Sequence, residues 1–269
     1  MNLSRDLGTI FALWKREMIR FTRQPGRMAG AIGQPLLLWI FLGAGIGQTF
    51  QMKGSLPADM TYTEFFFPGM IVMVLLFTAI FSTISVIEDR QEGLLRTVLI
   101  APVSRYAIVV GKGLGGVTVA MLQGGVLLLF LLTPYLSFAL TLPRLLFVLL
   151  VMALISIGFT AMGFCMAWFF ESSQSYHGMM SFFLIPLWML SGALFPVNNL
   201  PAWLDVVMKL NPLTYGLEAL RCGFYTSFAP PASLVLQTLN TDLVITVAFT
   251  GLMVVAAVGV TLFKKEPHR

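Results

Sequence analysis

An all-α integral membrane protein with six transmembrane helices is the fold class this sequence predicts, and three observations predict it. Hydrophobic residues fill 57% of the 269 positions and charged residues only 11%, against roughly 25% charged in soluble globular chains. Six stretches have about the 20 apolar residues that a helix needs to cross the hydrocarbon core: Met28–Gln48, Phe65–Ile87, Tyr106–Leu132, Leu145–Phe170, Tyr176–Phe195 and Leu243–Phe263. Alternating ten-residue strands of the outer-membrane type are missing from the pattern. Lipid offers no hydrogen bonds to an open backbone, so the spans are expected to be helices. The first apolar run begins only near residue 28 and is too long for a cleaved secretion signal.

Residues 1–27 form a first unit, ahead of a transmembrane domain over 28–269. From Ser4 to Gln24, Leu7, Ile10, Phe11, Trp14, Met18 and Phe21 repeat at helical spacing, with Arg16, Arg20 and Arg23 on the other face. A basic amphipathic helix carrying a Trp suits the lipid headgroup layer. It serves either as an anchor or as a docking element for a partner, through Lys15, Arg16 and Arg20. Gln24–Pro25–Gly26 breaks it before the first span.

Orientation follows from Lys and Arg. Thirteen lie on one side: Arg5, Lys15, Arg16, Arg20, Arg23, Arg27, Arg90, Arg96, Arg105, Lys112, Lys264, Lys265 and Arg269. Only Lys53, Arg144, Lys209 and Arg221 fall on the other. The positive-inside rule therefore expects both termini, and the loop after the second span, in the cytoplasm. The net charge of +5 is then mainly a topology signal, and a nucleic-acid partner is not expected, because no segment is long enough to fold as a soluble basic module. Cys165 and Cys222 sit at different depths and read as free thiols without a metal-ligand pattern.

Seven of the charged residues crowd into residues 85–113: Glu88, Asp89, Arg90, Glu92, Arg96, Arg105 and Lys112. Leu94, Leu95, Val98 and Leu99 make an apolar stripe there, while Glu88, Glu92 and Arg96 follow the opposite face at four-residue spacing. Pro102 stops the pattern. The segment 88–102, Gly93 included, is expected as a stiff amphipathic helix across the cytoplasmic mouth, with a solvated reversing loop as the alternative. On the outer side, residues 197–241 are too apolar for a free loop. Pro201 and Pro212 suit helix starts and Asn211 a cap, which predicts helices over 201–210 and 212–224 in an external hairpin. Tyr215 suits an interfacial position, and Glu218 and Arg221, three apart, share one face.

Catalytic signals are weak. The sequence GKGLGG at 111–116 satisfies GxGxxG literally, but it opens an apolar span without a preceding strand, so these glycines are expected to allow close helix contact. The middles of the spans carry no Asp, Glu, Lys or Arg, which disfavours a proton-coupled carrier or a membrane enzyme. Milder polar faces exist. Thr78, Ser82 and Ser85 line one side of the second span with Phe77 and Phe81, and the fifth holds Ser181, Phe182, Phe183 and Pro186. Such faces serve either helix packing or a translocation path.

Three segments carry a resemblance: EDRQEGLLRTVLIAPVSRYAIVVGK from Glu88, LSGALFPVNNLPAWL from Leu190, and LNPLTYGLEALR from Leu210. Together with six spans and the amphipathic start, the chain resembles the membrane subunits of ABC-2 type exporters, the family that includes drug-resistance and polysaccharide-export permeases. It departs from the family pattern at Asp89–Arg90–Gln91, where further Glu and Arg are common. The resemblance implies a dimer, most simply a homodimer, with two copies of a separate ATP-binding subunit that holds ATP and Mg²⁺. No cofactor is then expected on this chain, nor catalytic residues. Glu88, Asp89, Arg90, Glu92, Gly93, Arg96 and Pro102 would form the coupling helix, and Phe77, Thr78, Phe81, Ser82, Ser85, Ser181 and Phe182 a path for hydrophobic or amphipathic cargo. Asn211, Pro212, Tyr215, Glu218 and Arg221 would belong to the hairpin closing the exit. The expected location is the prokaryotic cytoplasmic (inner) membrane. Alternatives are an exporter of a lipid-linked glycan, an integral-membrane enzyme and a passive scaffold.

Overall fold

The computed structural model describes residues 3–49, 61–94, 104–133, 136, 138, 140–197, 200–224 and 235–263, and these form helices and irregular connections without a strand. In chain order the helices are α1 Leu3–Thr22, α2 Pro25–Thr49, α3 Tyr62–Ser82, α4 Ile84–Gln91, α5 Arg105–Leu128, α6 Leu142–Ala167, α7 Ser173–Trp188, α8 Ala202–Leu210, α9 Pro212–Phe224 and α10 Leu239–Phe263. Among the described residues four helices are long and apolar enough to cross a membrane: Tyr62–Gln91, Arg105–Leu132, Leu142–Ala167 and Leu239–Leu262. The first and fifth expected spans are also helical, but their apolar helix is shorter. It covers Ala29–Gly45 within α2, and α7 runs 16 residues before a π-helical turn at Met189–Ala193.

Helix α3 is the axis of the bundle. Phe65, Phe66, Phe67, Met70, Ile71, Leu75, Leu76 and Ile80 are almost fully buried, on every side of it, as befits a helix that is apolar all round. It packs on α2, α5 and α6. Its start is fixed by a reciprocal cap: Glu64 N donates to Thr61 Oγ1 at 3.3 Å, and Thr61 N donates to Glu64 Oε2 at 3.0 Å. At Thr83 the helix bends into α4. There Tyr176 of α7, fully buried, shares a hydrogen bond of 2.9 Å with Thr83 Oγ1, and its hydroxyl lies 3.2 Å from the Gly163 carbonyl.

Glycine sets where α1 sits. A Cβ at Gly111 would lie 3.1 Å from the Ile10 backbone, and one at Gly115 would lie 2.6 Å from Glu17 Cβ. Gly111 and Gly115, two of the four GKGLGG glycines of α5, thus let α1 approach closely, and Trp14 Nε1 donates to Thr118 Oγ1 at 3.1 Å to fix its rotation. The expected surface helix therefore has a protein-facing side. Leu13 is buried against the core, while Leu7 and Phe11 stay exposed.

At the opposite end, α8 and α9 fall at almost the bounds that the Pro and Asn signals predict. Asn211 donates to the Leu187 carbonyl at 2.7 Å and accepts from Leu213 N at 3.0 Å, which fixes the corner between them. Gly192, at φ +83°, ends the π turn in a conformation that glycine tolerates. Both cysteines are free thiols.

Candidate functional site

Two features stand out: a charged cluster at one end of the bundle and a cavity beside it. The cluster is centred on Asp89 of α4, which is 1% exposed. Its carboxylate pairs with Arg16 of α1 and Lys112 of α5, and Arg20 reaches it at 3.2 Å while also pairing with Glu88 at 3.2 Å. Lys112, itself buried, donates to the Ser85 carbonyl at 3.1 Å and lies 3.6 Å from Glu17. Burial opposes the charge on Arg20, but Glu17, Asp89 and Glu88 outweigh it and hold its pKa above the ordinary arginine value. Three helices are thereby tied at one point. Asp6 adds a second tie, since its carboxylate accepts from Ser104 N, the cap of α5, at 2.9 Å.

Arg90, one residue on, turns the other way. Its guanidinium donates to the carbonyls of Phe170 and Trp168 at 3.1 Å each and stacks 5.4 Å over the Trp168 ring. Gln91 Nε2 donates to the Glu171 carbonyl at 2.8 Å. The end of α4 is thus fastened to the turn between α6 and α7.

The continuous helix expected from Glu88 onward is interrupted. Glu92 caps α4, and Gly93 at φ +76° turns the chain before helix resumes at Leu94. Four-residue spacing is blind to this because glycine fits a helical pattern and a left-handed break equally well. Glu88 and Glu92 therefore do not belong to one unbroken helix running on past Gly93. Arg96 and Pro102 lie outside the described residues. Lys15 is exposed, whereas Arg16 and Arg20 engage carboxylates of their own chain.

The cavity has a volume of about 850 Å³ and lies between α1, α2, α3, α5 and α7, within the ~300–1,000 Å³ range of ligand sites. Phe77, Thr78, Phe81, Ser82, Ser85 and Ser181, six of the seven residues singled out in the sequence as path-lining, share its wall. Phe182 does not; it is 82% exposed. Residues the sequence pattern did not single out join them, chiefly Gln34, Gln123 and His177. The His177 ring stacks flat on Phe81 with centroids 4.4 Å apart, and its Nδ1 lies 3.4 Å from Ser181 Oγ. Thr78 Oγ1 donates to the amide oxygen of Gln123. Glu17, Arg20 and Glu88 also line it, joining the cavity to the charged cluster. The available signals for the missed residues were faint: Gln34 and Gln123 inside apolar runs and His177 near the start of another, each a polar group where polar groups are rare.

The hairpin residues form a second buried polar set at the other end. Glu218 is 1% exposed and accepts from Leu236 N at 2.8 Å and Gln237 N at 3.2 Å. Burial raises its pKa to about 7, against the opposing pull of those two amides, of Arg221 and of the neighbouring Asp242 carboxyl. Arg221, equally buried, donates to the Gly192 carbonyl at 2.7 Å and lies 4.6 Å over the Phe65 ring. Tyr215 Oη donates to the Lys209 carbonyl at 2.6 Å, and Pro212 opens α9.

Known proteins share this arrangement of sequence. The chain is 28% identical over 263 residues to a Cyanophora paradoxa protein named as transport permease ycf38, an alignment covering 95% of this chain and 88% of that one. It is 28% identical to Nodulation protein J of Rhizobium leguminosarum bv. trifolii, over 78% of this chain and 79% of the relative. It is 27% identical to the Escherichia coli K12 protein named as a multidrug ABC transporter permease, YbhR, over 58% of this chain and 42% of that longer one. Residues 9–225, which hold both the charged cluster and the cavity, match the family described as ABC-2 type transporter, and the chain belongs to that family.

Proposed function

We propose that this transport permease is the membrane subunit of an ATP-driven exporter that moves hydrophobic or amphipathic cargo, drug-like or lipid-like, by alternating access. The observation that carries the cargo class is the wall of the 850 Å³ cavity, where Phe77, Phe81 and Met73 alternate with Thr78, Ser82, Gln123 and Ser181. An apolar cavity with a few convergent polar groups binds amphipaths. The name of the E. coli relative, a multidrug permease, agrees with that class.

Family membership implies an ATP-binding partner subunit. In our reading two copies of that subunit hold ATP and Mg²⁺, two copies of this chain form the membrane part, and both termini lie in the cytoplasm of a prokaryotic cell. The segment 88–102 is the coupling element. Closure of the ATPase pair pushes on it, and the push enters the bundle through the end of α4. From there Asp89 passes it to α1 and α5, and Arg90 to the α6–α7 turn. Because α3 and α4 also line the cavity, moving them changes its shape and its opening. The hairpin α8–α9 closes the outer end.

The test is reconstitution in proteoliposomes. The permease alone should hydrolyse no ATP, and adding the partner should give cargo-stimulated hydrolysis and uptake. The double variant Glu92→Lys with Arg96→Glu should abolish both and leave the melting temperature unchanged. Surviving cargo-stimulated hydrolysis would overturn the coupling assignment, and uphill transport without the partner would overturn the exporter itself.

A further inference from the structure

The cavity holds one polar side chain whose hydrogen-bonding capacity is half used. Gln123 is 3% exposed and sits in the wall between Thr78, Val119 and Gly116. Thr78 Oγ1 donates to its amide oxygen. With the amide oxygen turned to Thr78, the nitrogen keeps two protons to give. Among the described residues none accepts from that nitrogen. The nitrogen opens on the cavity rather than being enclosed by protein, and in an apolar wall such a donor gains from an acceptor. The site is therefore poised for an oxygen brought by a guest.

The rest of the wall defines that guest. Glu17, Arg20 and Glu88 share the lining, and each is near a charge of its own chain: Arg20 at 3.2 Å from Glu88, Glu17 at 3.6 Å from Lys112. The rest includes Met73, Phe77, Phe81 and Ile185 with the polar groups Thr78, Ser82, Gln123, His177 and Ser181. A formal charge on the guest would have to compete with those ion pairs for a counter-ion. A carbonyl or ether oxygen would find a donor.

The geometry assigns Gln123, held by Thr78, as the residue that selects uncharged amphipaths bearing an acceptor oxygen. Gln123 is the contact, and Thr78 a positioning residue that keeps the nitrogen turned to the cavity. This inference rests on the cavity being the cargo path and adds the chemistry it reads.

The experiment uses the full permease–ATPase complex in lipid nanodiscs. Two probes are titrated, and saturable binding is taken above that of empty nanodiscs: Nile red, a neutral dye with a ring carbonyl, and ethidium, a cation without an oxygen. Gln123→Leu should weaken Nile red about tenfold, the equivalent of one hydrogen bond of about 1.4 kcal/mol, and leave ethidium nearly unchanged. Gln123→Glu, which keeps the shape but places a carboxylate in the wall, should reverse the preference toward ethidium. Thr78→Val should lower the Nile red to ethidium ratio part of the way, and Thr78→Ser should restore it. Phe81→Ala should weaken both dyes together. If Phe81→Ala weakens binding while the Gln123 variants leave the ratio of the two dyes unchanged, the selection role is wrong and the cavity reading stands. If the wild-type complex binds neither dye saturably, or Phe81→Ala changes neither, the cavity reading fails and takes this one with it. Should Gln123→Leu fail to assemble, the ratios of Gln123→Glu and Thr78→Val decide.

Discussion

The guanidinium of Arg90 lies 5.4 Å over the Trp168 ring while donating to the Trp168 carbonyl at 3.1 Å, so one side chain grips both faces of a turn 78 residues away. A second donation to the Phe170 carbonyl at 3.1 Å completes a fork. The planar guanidinium can meet two carbonyls and a ring at once, which an ammonium cannot. Arg90→Lys should therefore behave almost like Arg90→Ala. We expect each to lower stability by about 1–3 kcal/mol, the range for hydrogen bonds made by a charged group. Cargo transport should fall further than ATP hydrolysis, because the α6–α7 turn no longer follows α4. Chemical denaturation together with the ratio of transport to hydrolysis checks this. An Arg90→Lys protein with wild-type values on both would refute the fork.

Removing Asp89 and removing Lys112 should not be equivalent. Asp89 faces Arg16, Arg20 and Lys112, so Asp89→Ala gathers three cations around one site with only Glu88 beside Arg20 and Glu17, at 3.6 Å, beside Lys112 to offset them. Lys112→Met leaves Asp89 with two arginines to balance it. Breaking a buried pair costs about 3–5 kcal/mol when the remaining charge has no other partner. We expect Asp89→Ala to reach that range, Lys112→Met to fall well below it, and the double variant to be better than Asp89→Ala alone. Melting of the four proteins in nanodiscs, arranged as a double-mutant cycle, gives the answer. Equal losses for the two single variants would mean that the arginines do not share Asp89.

The difference between what the sequence shows and what it hides follows from range. Helices α5, α6 and α10 lie within a few residues of their expected bounds because twenty apolar residues in a row constrain a chain in lipid without help from elsewhere. The hairpin bounds were equally visible, since Pro201, Asn211 and Pro212 act on their immediate neighbours. The Asp89 cluster was not. Arg16, Asp89 and Lys112 are separated by 73 and 23 positions, and each alone reads as a solvated charge. Gln123 shows its role only once Thr78 is placed beside it. Gly93 misled in the opposite sense: a local rule saw one helix from Glu88 onward, and the backbone at Gly93 interrupts it.

Gly111 and Gly115 offer a test of α1 that leaves every charge in place. A Cβ at Gly111 meets backbone of Ile10 at 3.1 Å, and backbone cannot swing aside as a long side chain can. Gly111→Val should push α1 away from α5 and loosen the pairs of Arg16 and Lys112 with Asp89. Amide hydrogen exchange over residues 3–22 should accelerate by more than tenfold, with α6 and α10 unchanged. Gly113→Val is the control, because nothing lies within 4 Å of a Cβ there. Matching exchange in the two variants would show that α1 is not seated on those glycines.

Glu218 gives the outer cap a dependence on pH whose sign is fixed. Burial raises its pKa to about 7 from an ordinary 4.5. Below pH 4.5 the carboxyl is protonated in both folded and unfolded chains, and stability does not vary on its account. Between 4.5 and 7 the unfolded chain releases the proton while the folded one keeps it, so stability falls as pH rises. Above 7 both are ionised and the loss is complete, on the order of 3 kcal/mol. Glu218→Gln should reduce that slope, leaving the share of Asp242, which lies beside Glu218 and titrates with it. It should also carry a constant loss of about 1 kcal/mol, because an amide offers a single acceptor oxygen to the two N–H groups of Leu236 and Gln237. Melting temperature against pH in nanodiscs, from pH 4.5 to 8, separates the two effects: the variant's curve should start below the wild type at the acid end and draw level with it or cross it by pH 7. A wild-type curve that rises over this interval would mean that the two amides and Arg221 outweigh burial, and that Glu218 is held as a carboxylate.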